Sequence, residues 1–229
     1  MKNKAGGFLA DIFFPRRCPW CQSVLGFSAR PCECEKDLAA LWQGDKQLLL
    51  GLLSENTLRV WACYAYLPPA SNAVWNLKSE GDASSVCAMG SAMARLYSEH
   101  GLAASFDAIT PVPASAATRK QRGHNQAELL AKELANRTGL PVWPALRKQR
   151  DTLHQRGLSR EQRLQNLKDA FVPALPPAEI QGKRILLVDD VVTTGSTLLE
   201  CAHTLLRAGA AETGGLCFAA TPAPETPAV

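Results

Sequence analysis

Apolar and polar positions divide the chain into alternating strand-like and helix-like stretches. The clearest boundary lies at Ile185, Leu186, Leu187 and Val188, an unbroken apolar run between Gly182 and two acids. Such a run, without alternation, predicts a strand buried on both faces, as in a parallel sheet. Residues 197–208 follow as a helix, with Leu198, Leu199, Ala202, Leu205 and Leu206 on one face and Gly209 as its stop. Upstream, residues 58–67 are rich in β-formers and end at Pro68 and Pro69, which predicts another strand. A helix over 71–78 is broken by Gly81 and Asp82, and a long amphipathic helix covers 83–100. Residues 108–112 read as a short strand. Asn125 and Glu128 look like a capping pair that opens a helix running to Arg137. A strand over 140–146 is weakened by Pro141 and Pro144, and 213–219 reads as the last strand. Strands alternating with helices predict an α/β domain with a parallel sheet.

The flanks differ from this core. Residues 8–14 are apolar and suit a short packed helix, and 38–53 have a helical pattern broken near Gly44. A turn at 55–57 sets the expected boundary: an N-terminal element over 1–55, the main domain over 56–221 and a proline-rich tail over 222–229 that frays. Between the predicted strands, 147–171 is polar and basic, carrying Arg147, Lys148, Arg150, Arg156, Arg160, Arg163 and Lys168. Ser159 and Gln162 fit a capping box for a short helix to Ala170. A long basic segment of this kind is either a mobile lid or a disordered excursion.

Composition narrows the class. The chain has 229 residues, 46% of them apolar, and a net charge of only +4. That is a normal soluble core, and the charge alone does not argue for nucleic acid. No apolar run reaches membrane-spanning length, and the basic start at Lys2 and Lys4 is followed by a segment broken at Asp11, a poor export signal. Membrane insertion is therefore not expected, and the setting expected is cytoplasmic. Of the eight cysteines, Cys18, Cys21, Cys32 and Cys34 form a quartet. Two pairs joined by a short loop suit a tetrahedral zinc ion in an element too small for its own core. A disulfide and an empty site remain open at this point, and catalytic redox use has no thioredoxin-like context.

The chemistry-bearing stretch is Asp189, Asp190, Val191, Val192, Thr193, Thr194, Gly195, Ser196 and Thr197. Hydroxyls around a glycine at a helix N-terminus make an anion site, because backbone N–H groups and the helix dipole both favour negative charge. The two acids repel phosphate, so they suit sugar hydroxyls or a cation beside it. No lysine follows Gly195, which weakens a kinase or ATPase reading. Lys78, just before the Gly81 turn, is either a phosphate contact or a solvated cation. Arg119, Lys120 and Arg122, just before a predicted helix start, form either a second anion site or a solvated basic loop.

Several motifs occur in order: the cysteine quartet; Leu77 and Lys78 before Gly81 and Asp82; Pro111, Val112 and Pro113; Arg122, Gly123, His124, Asn125 and Gln126; Arg150, Asp151, Thr152 and Gln155; Arg163, Asn166, Ala170 and Phe171; and the 187–197 loop. Over roughly residues 18–219 the chain resembles the ComF/GntX family, whose members look like type I phosphoribosyltransferases with an N-terminal zinc-ribbon-like segment. Two positions depart from that pattern: the second cysteine pair is C-x-C, and His124 stands where an aromatic is usual. The resemblance implies a phosphoribosyltransferase-like parallel sheet flanked by helices, and a site for phosphoribosyl pyrophosphate (PRPP) with Mg²⁺. Asp189 and Asp190 would take the ribose hydroxyls, and Thr193 to Thr197 the 5′-phosphate. The turn at Pro113 and Ala114, with Arg122, would face the pyrophosphate, and 147–163 would close over it. Zn²⁺ would be structural at the quartet. The implied reaction is pentosyl transfer to an acceptor that no motif names, in a role tied to DNA uptake or use. A non-catalytic PRPP or nucleotide sensor and a single-stranded-DNA-binding competence factor stand as alternatives. Partners of the competence machinery and an oligomer are left open.

Overall fold

The computed structural model describes residues 16–25, 32–44, 47–51, 57–150 and 167–222. The central sheet has five strands: β1 (Gln47–Gly51), β2 (Thr57–Ala65), β3 (Ala108–Pro111), β6 (Arg184–Val192) and β7 (Glu212–Ala220). Their order is β1-β2-β7-β6-β3, and β2, β7, β6 and β3 run parallel. This is the expected parallel α/β sheet. Its inner strands carry near-continuous apolar runs because helices cover both faces. On one face, α2 (Ala70–Glu80), α3 (Ala83–Glu99) and α5 (Gln126–Thr138) bury Leu77, Met89, Met93, Leu96, Leu130 and Leu134 against Leu186 and Val188. On the other, α7 (Ser196–Arg207) buries Leu198, Leu199 and Leu205 against Ile185 and Leu187. Alternate residues of β6 therefore enter opposite cores.

Four local expectations change. The helical pattern over 38–53 resolves into α1 (Cys34–Ala40) and β1, which pairs antiparallel with β2. Leu48 and Leu50 pack on the α7-side core, so the apolar spacing serves a strand. The basic stretch before Gly123 is a helix, α4 (Ala116–Arg122), started by Ser115, whose Oγ accepts the Thr118 N–H at 3.0 Å. Asn125 does not cap α5 through its side chain. Its amide instead donates to the Val112 carbonyl at 3.0 Å. The 140–146 strand shrinks to one parallel bridge between Val142 and Ile109, followed by β4 (Leu146–Lys148), which pairs with β5 (Phe171–Pro173). A short helix, α6 (Pro177–Ile180), leads into β6. The apolar 8–14 stretch, the Ser159/Gln162 capping box, most of the basic 147–171 segment and the tail from 223 lie outside the described residues.

The N-terminal knuckle docks on the α2–α3 side of the sheet. Trp20 stacks on Phe218 with 6.0 Å between ring centroids and 6° between planes. The Ser85 hydroxyl donates within reach of both the Pro19 carbonyl (3.0 Å) and the Asp82 carboxylate (2.7 Å), while Asp82 caps α3. These contacts tie the cysteine element to the turn that follows Lys78.

Candidate functional site

Strand β6 carries its acids to the C-terminal edge of the sheet, where open α/β sheets bind ligands. It stays extended through Val192, so alternation separates the two carboxylates. Asp189 shares the face of Ile185 and Leu187; Asp190 shares that of Leu186 and Val188. Asp189 lines a cleft together with Val191, Val192, Thr193, Thr194, Gly195, Ser196, Thr197 and Leu198. Asp190 is buried, and its Oδ2 lies 2.8 Å from Lys78 Nζ. Backbone N–H groups serve both acids: that of Asp190 donates to Asp189 at 2.9 Å, and that of Val191 to Asp190 at 2.7 Å. Burial, and then the charge of Asp190 beside it, push the Asp189 carboxyl well above the usual range. Burial acts to lower the Lys78 ammonium. Asp190, and behind it Asp189 and Tyr66, outweigh that, and the net shift is upward.

The cleft ends at the start of α7. Gly195 takes φ 74°, a left-handed geometry that turns the chain into the helix. It is also hemmed in, since a β-carbon there would overlap the Leu50 side chain of β1. Thr194 and Ser196 hydroxyls lie 2.9 Å apart at the mouth. Hydroxyls, a helix N-terminus and a glycine without a side chain together make a concave donor surface of the kind that suits an anion.

β3 ends with Pro111 opposite Val188, so the Pro113–Ala114 turn leaves the sheet beside the acids. The Asn125 amide holds the carbonyl just before it. Pro113 lines a second depression with Pro111, Arg119, Glu128, Lys132 and Pro144. Arg122 closes α4, half-buried, and is not among the residues that line the 189–198 cleft. His124, the departure from an aromatic, bonds to the Leu77 carbonyl through Nε2 at 3.0 Å and packs over Gly81. It thereby fixes the end of α2 that presents Lys78. Sequence reasoning named Lys78, but not its pairing with Asp190 or the approach of Leu50 to Gly195. Both are contacts between distant segments, which spacing does not report.

The four N-terminal thiols converge. Cys18, Cys21, Cys32 and Cys34 place their sulfurs within 4.8 Å of one another, with Cys18–Cys34 and Cys21–Cys32 each at 3.5 Å. These separations are too long for disulfides, and all eight cysteines are free. They are close to the edge of a tetrahedron with metal–sulfur bonds of about 2.3 Å, so the cluster can hold a metal ion. The C-x-C spacing does not prevent convergence. Burial raises the Cys18 and Cys34 thiols. At Cys21 burial acts upward too, but hydrogen bonds from Ser23 and the neighbouring thiols bring it down to about 6.

Comparison with known proteins bears on this architecture. The phosphoribosyl transferase domain family matches residues 123–228. "Competence protein F" of Haemophilus influenzae is 42% identical over 107 residues, spanning 46% of this chain and about half, 47%, of that protein. "DNA utilization protein YhgH" of Salmonella typhimurium is 38% identical over 213 residues, 89% of this chain and 84% of that one. "Competence protein ComFC" of Bacillus subtilis is 27% identical over 194 residues, 85% and 73% of the two chains. With the parallel sheet, the loop at the start of α7 and the converging cysteines all in place, this near full-length match identifies the chain as a member of the ComF family, built on a phosphoribosyltransferase-like fold.

Proposed function

We propose that the 189–198 cleft binds PRPP with Mg²⁺ and that the protein transfers its phosphoribosyl group to a nitrogen acceptor, in a cytoplasmic role connected with DNA uptake or use. The observation that carries this reading is the joining of one carboxylate to a helix-N-terminal hydroxyl loop in a single cleft. Thr193 to Thr197 offer donors to the 5′-phosphate. Asp189 accepts from a ribose hydroxyl, and Asp190 does so from the opposite side once Lys78 turns towards the pyrophosphate. The Pro113–Ala114 turn borders the pyrophosphate, and Arg122 offers a cation from the end of α4. In the transfer, the bond from C1 to the pyrophosphate oxygen breaks and pyrophosphate leaves with the electron pair. The acceptor nitrogen forms the new bond to C1 and loses its proton. Charge grows on the leaving group, so cations placed there lower the barrier more than they tighten ground-state binding. Bound with the pyrophosphate, Mg²⁺ would offset part of that negative charge.

The cysteine quartet holds a structural zinc ion in this reading, and a reducing compartment keeps the remaining thiols free. The domain reading also stands as a proposal: a metal-bearing element up to residue 55 that lends β1 to the sheet of the main domain.

Calorimetric titration with PRPP and Mg²⁺ tests the reading. Saturable binding is expected, and it should be lost in Asp189→Asn. Absence of binding to folded, zinc-loaded protein overturns it. Pyrophosphate release on screening acceptors then separates an enzyme from a sensor.

A further inference from the structure

Four residues separate helix α2 from the C-terminal end of β2, and Lys78 in its last turn reaches Asp190 near the C-terminal end of β6. Its residues Ser71, Trp75 and Lys78 fall at spacings of four and three, a single stripe on one side of the helix. Lys78 anchors that stripe at Asp190, 2.8 Å away. Trp75 stands one turn from Lys78, with β-carbons about 5–6 Å apart on an ideal helix. Tyr66 lies near the same lysine.

Trp75 is 65% exposed, and among the described residues no other Trp, Tyr or Phe is exposed. Trp20, Trp42 and Trp61 are each packed against aromatic neighbours. A large ring left in water forgoes burial worth keeping, and exposed aromatics beside polar groups are what planar ligands stack on. The stripe joins this ring to the acids assigned to the ribose, and the acceptor must approach within one ring's width of that ribose to reach C1.

We propose that Trp75 is the platform on which the planar nitrogen heterocycle of the acceptor stacks, with the Ser71 hydroxyl at its edge and Lys78 between it and the sugar site. The ligand class is a nucleobase, either free or exposed in a single strand. The proposal rests on the PRPP reading for the identity of the neighbouring site, but the platform is measurable without it. Base–aromatic stacking corresponds to about five- to hundredfold in affinity.

The test uses the full chain, wild type and with Trp75→Ala or Trp75→Phe. Tryptophan fluorescence and equilibrium dialysis follow binding of free adenine, guanine, hypoxanthine, cytosine, thymine and uracil, and of a short dT or dA oligonucleotide, with and without PRPP and Mg²⁺. At least one base should bind wild type, fall five- to hundredfold in Trp75→Ala and recover most of its affinity in Trp75→Phe, with the PRPP isotherm the same in all three. Preference for free bases marks a soluble acceptor; preference for the oligonucleotide marks a strand. Equal affinity in wild type and Trp75→Ala, or no base binding by wild type, overturns the platform. Loss of PRPP binding in wild type with base stacking intact overturns the PRPP reading alone.

Discussion

Gly195→Ala tests the closest approach in the site. Two separate penalties act there. The residue takes φ 74°, and a left-handed conformation costs an L residue about 1–2 kcal/mol. The new methyl also overlaps Leu50, and overpacking costs about 1–3 kcal/mol. Alanine returns about 0.4–1 kcal/mol by restricting the unfolded chain. A net loss of about 2–4 kcal/mol is expected, read as a lower urea midpoint at constant slope. Leu50→Ala removes the overlap but leaves the dihedral strain. In that background Gly195→Ala should cost only about 1 kcal/mol, so the cycle gives a coupling above 1 kcal/mol. PRPP affinity should fall in both backgrounds, because the dihedral strain at Gly195 remains in the loop whose N–H groups would approach phosphate. Additivity within about 0.5 kcal/mol would refute the packing of β1 on the loop.

Other perturbations read other parts of the chain. The Arg184 side chain and backbone N–H hold the Asp107 carboxyl down at about 2, joining the starts of β3 and β6. That stability is complete above a normal carboxylate pKa near 4 and is lost as pH falls from about 4 to 2. Asp107→Asn should flatten this limb, and since the side chain is 34% exposed the loss at neutral pH should be only about 1 kcal/mol, checked by urea midpoints across pH. Asn125→Ala strips a buried amide from the Val112 carbonyl and should cost about 1–2 kcal/mol, with weaker PRPP binding as the turn at Pro113 loosens. Cys34→Ser should abolish stoichiometric zinc and weaken the near-ultraviolet signal of the Trp20–Phe218 stack; unchanged zinc content by mass spectrometry contradicts the four-thiolate site. Asp189→Asn keeps the acceptor oxygen for the Asp190 N–H but removes a charge that burial opposes. A carboxyl raised in the folded state supports folding below its unfolded pKa and loses that support as pH rises through the folded value. The variant should therefore match or exceed wild type in Tm at pH 7, lose the advantage near pH 4, and fail to bind PRPP. A lower Tm at pH 7 would contradict the burial of that charge.

Local rules carry the elements whose residues all point one way. The branched apolar run from Ile185 to Val188 suits a buried strand, and the residues after it turn at Gly195 into a helix, as their pattern implies. Three readings changed in the structure. The apolar spacing at Leu48 and Leu50 fits either a helix or an edge strand, and pairing with β2 decides it. The stretch before Gly123 is basic enough to suit a loop, yet Ser115 nucleates a helix by accepting one N–H. Asn125 has the right type and position for a cap, but a carbonyl from another segment competes successfully for its amide. For the edge strand and for Asn125 the deciding partner is a segment distant in sequence, whereas the Ser115 cap is a local contact that the basic composition masked.

The paired acids show why such contacts matter to function. In the sequence Asp189 and Asp190 are equivalent neighbours. A strand that continues through both sends one into the phosphate-loop cleft and the other towards α2, and the two then meet different environments. Asp190 has a lysine, with Lys78 Nζ 2.8 Å from its Oδ2. Asp189 has burial and a like charge against its ionised form, and neither the N–H of Asp190 nor the more distant Lys78 offsets them, so its carboxyl stands well above the usual range. Proteins carry such local conflict mainly where a ligand resolves it. On the proposed PRPP reading, a ribose hydroxyl donating to Asp189, with a cation arriving on pyrophosphate, would relieve both the missing partner and the excess charge. On that reading the same step would free Lys78 from Asp190 to follow the pyrophosphate, which turns a conflict in the empty site into binding of this substrate.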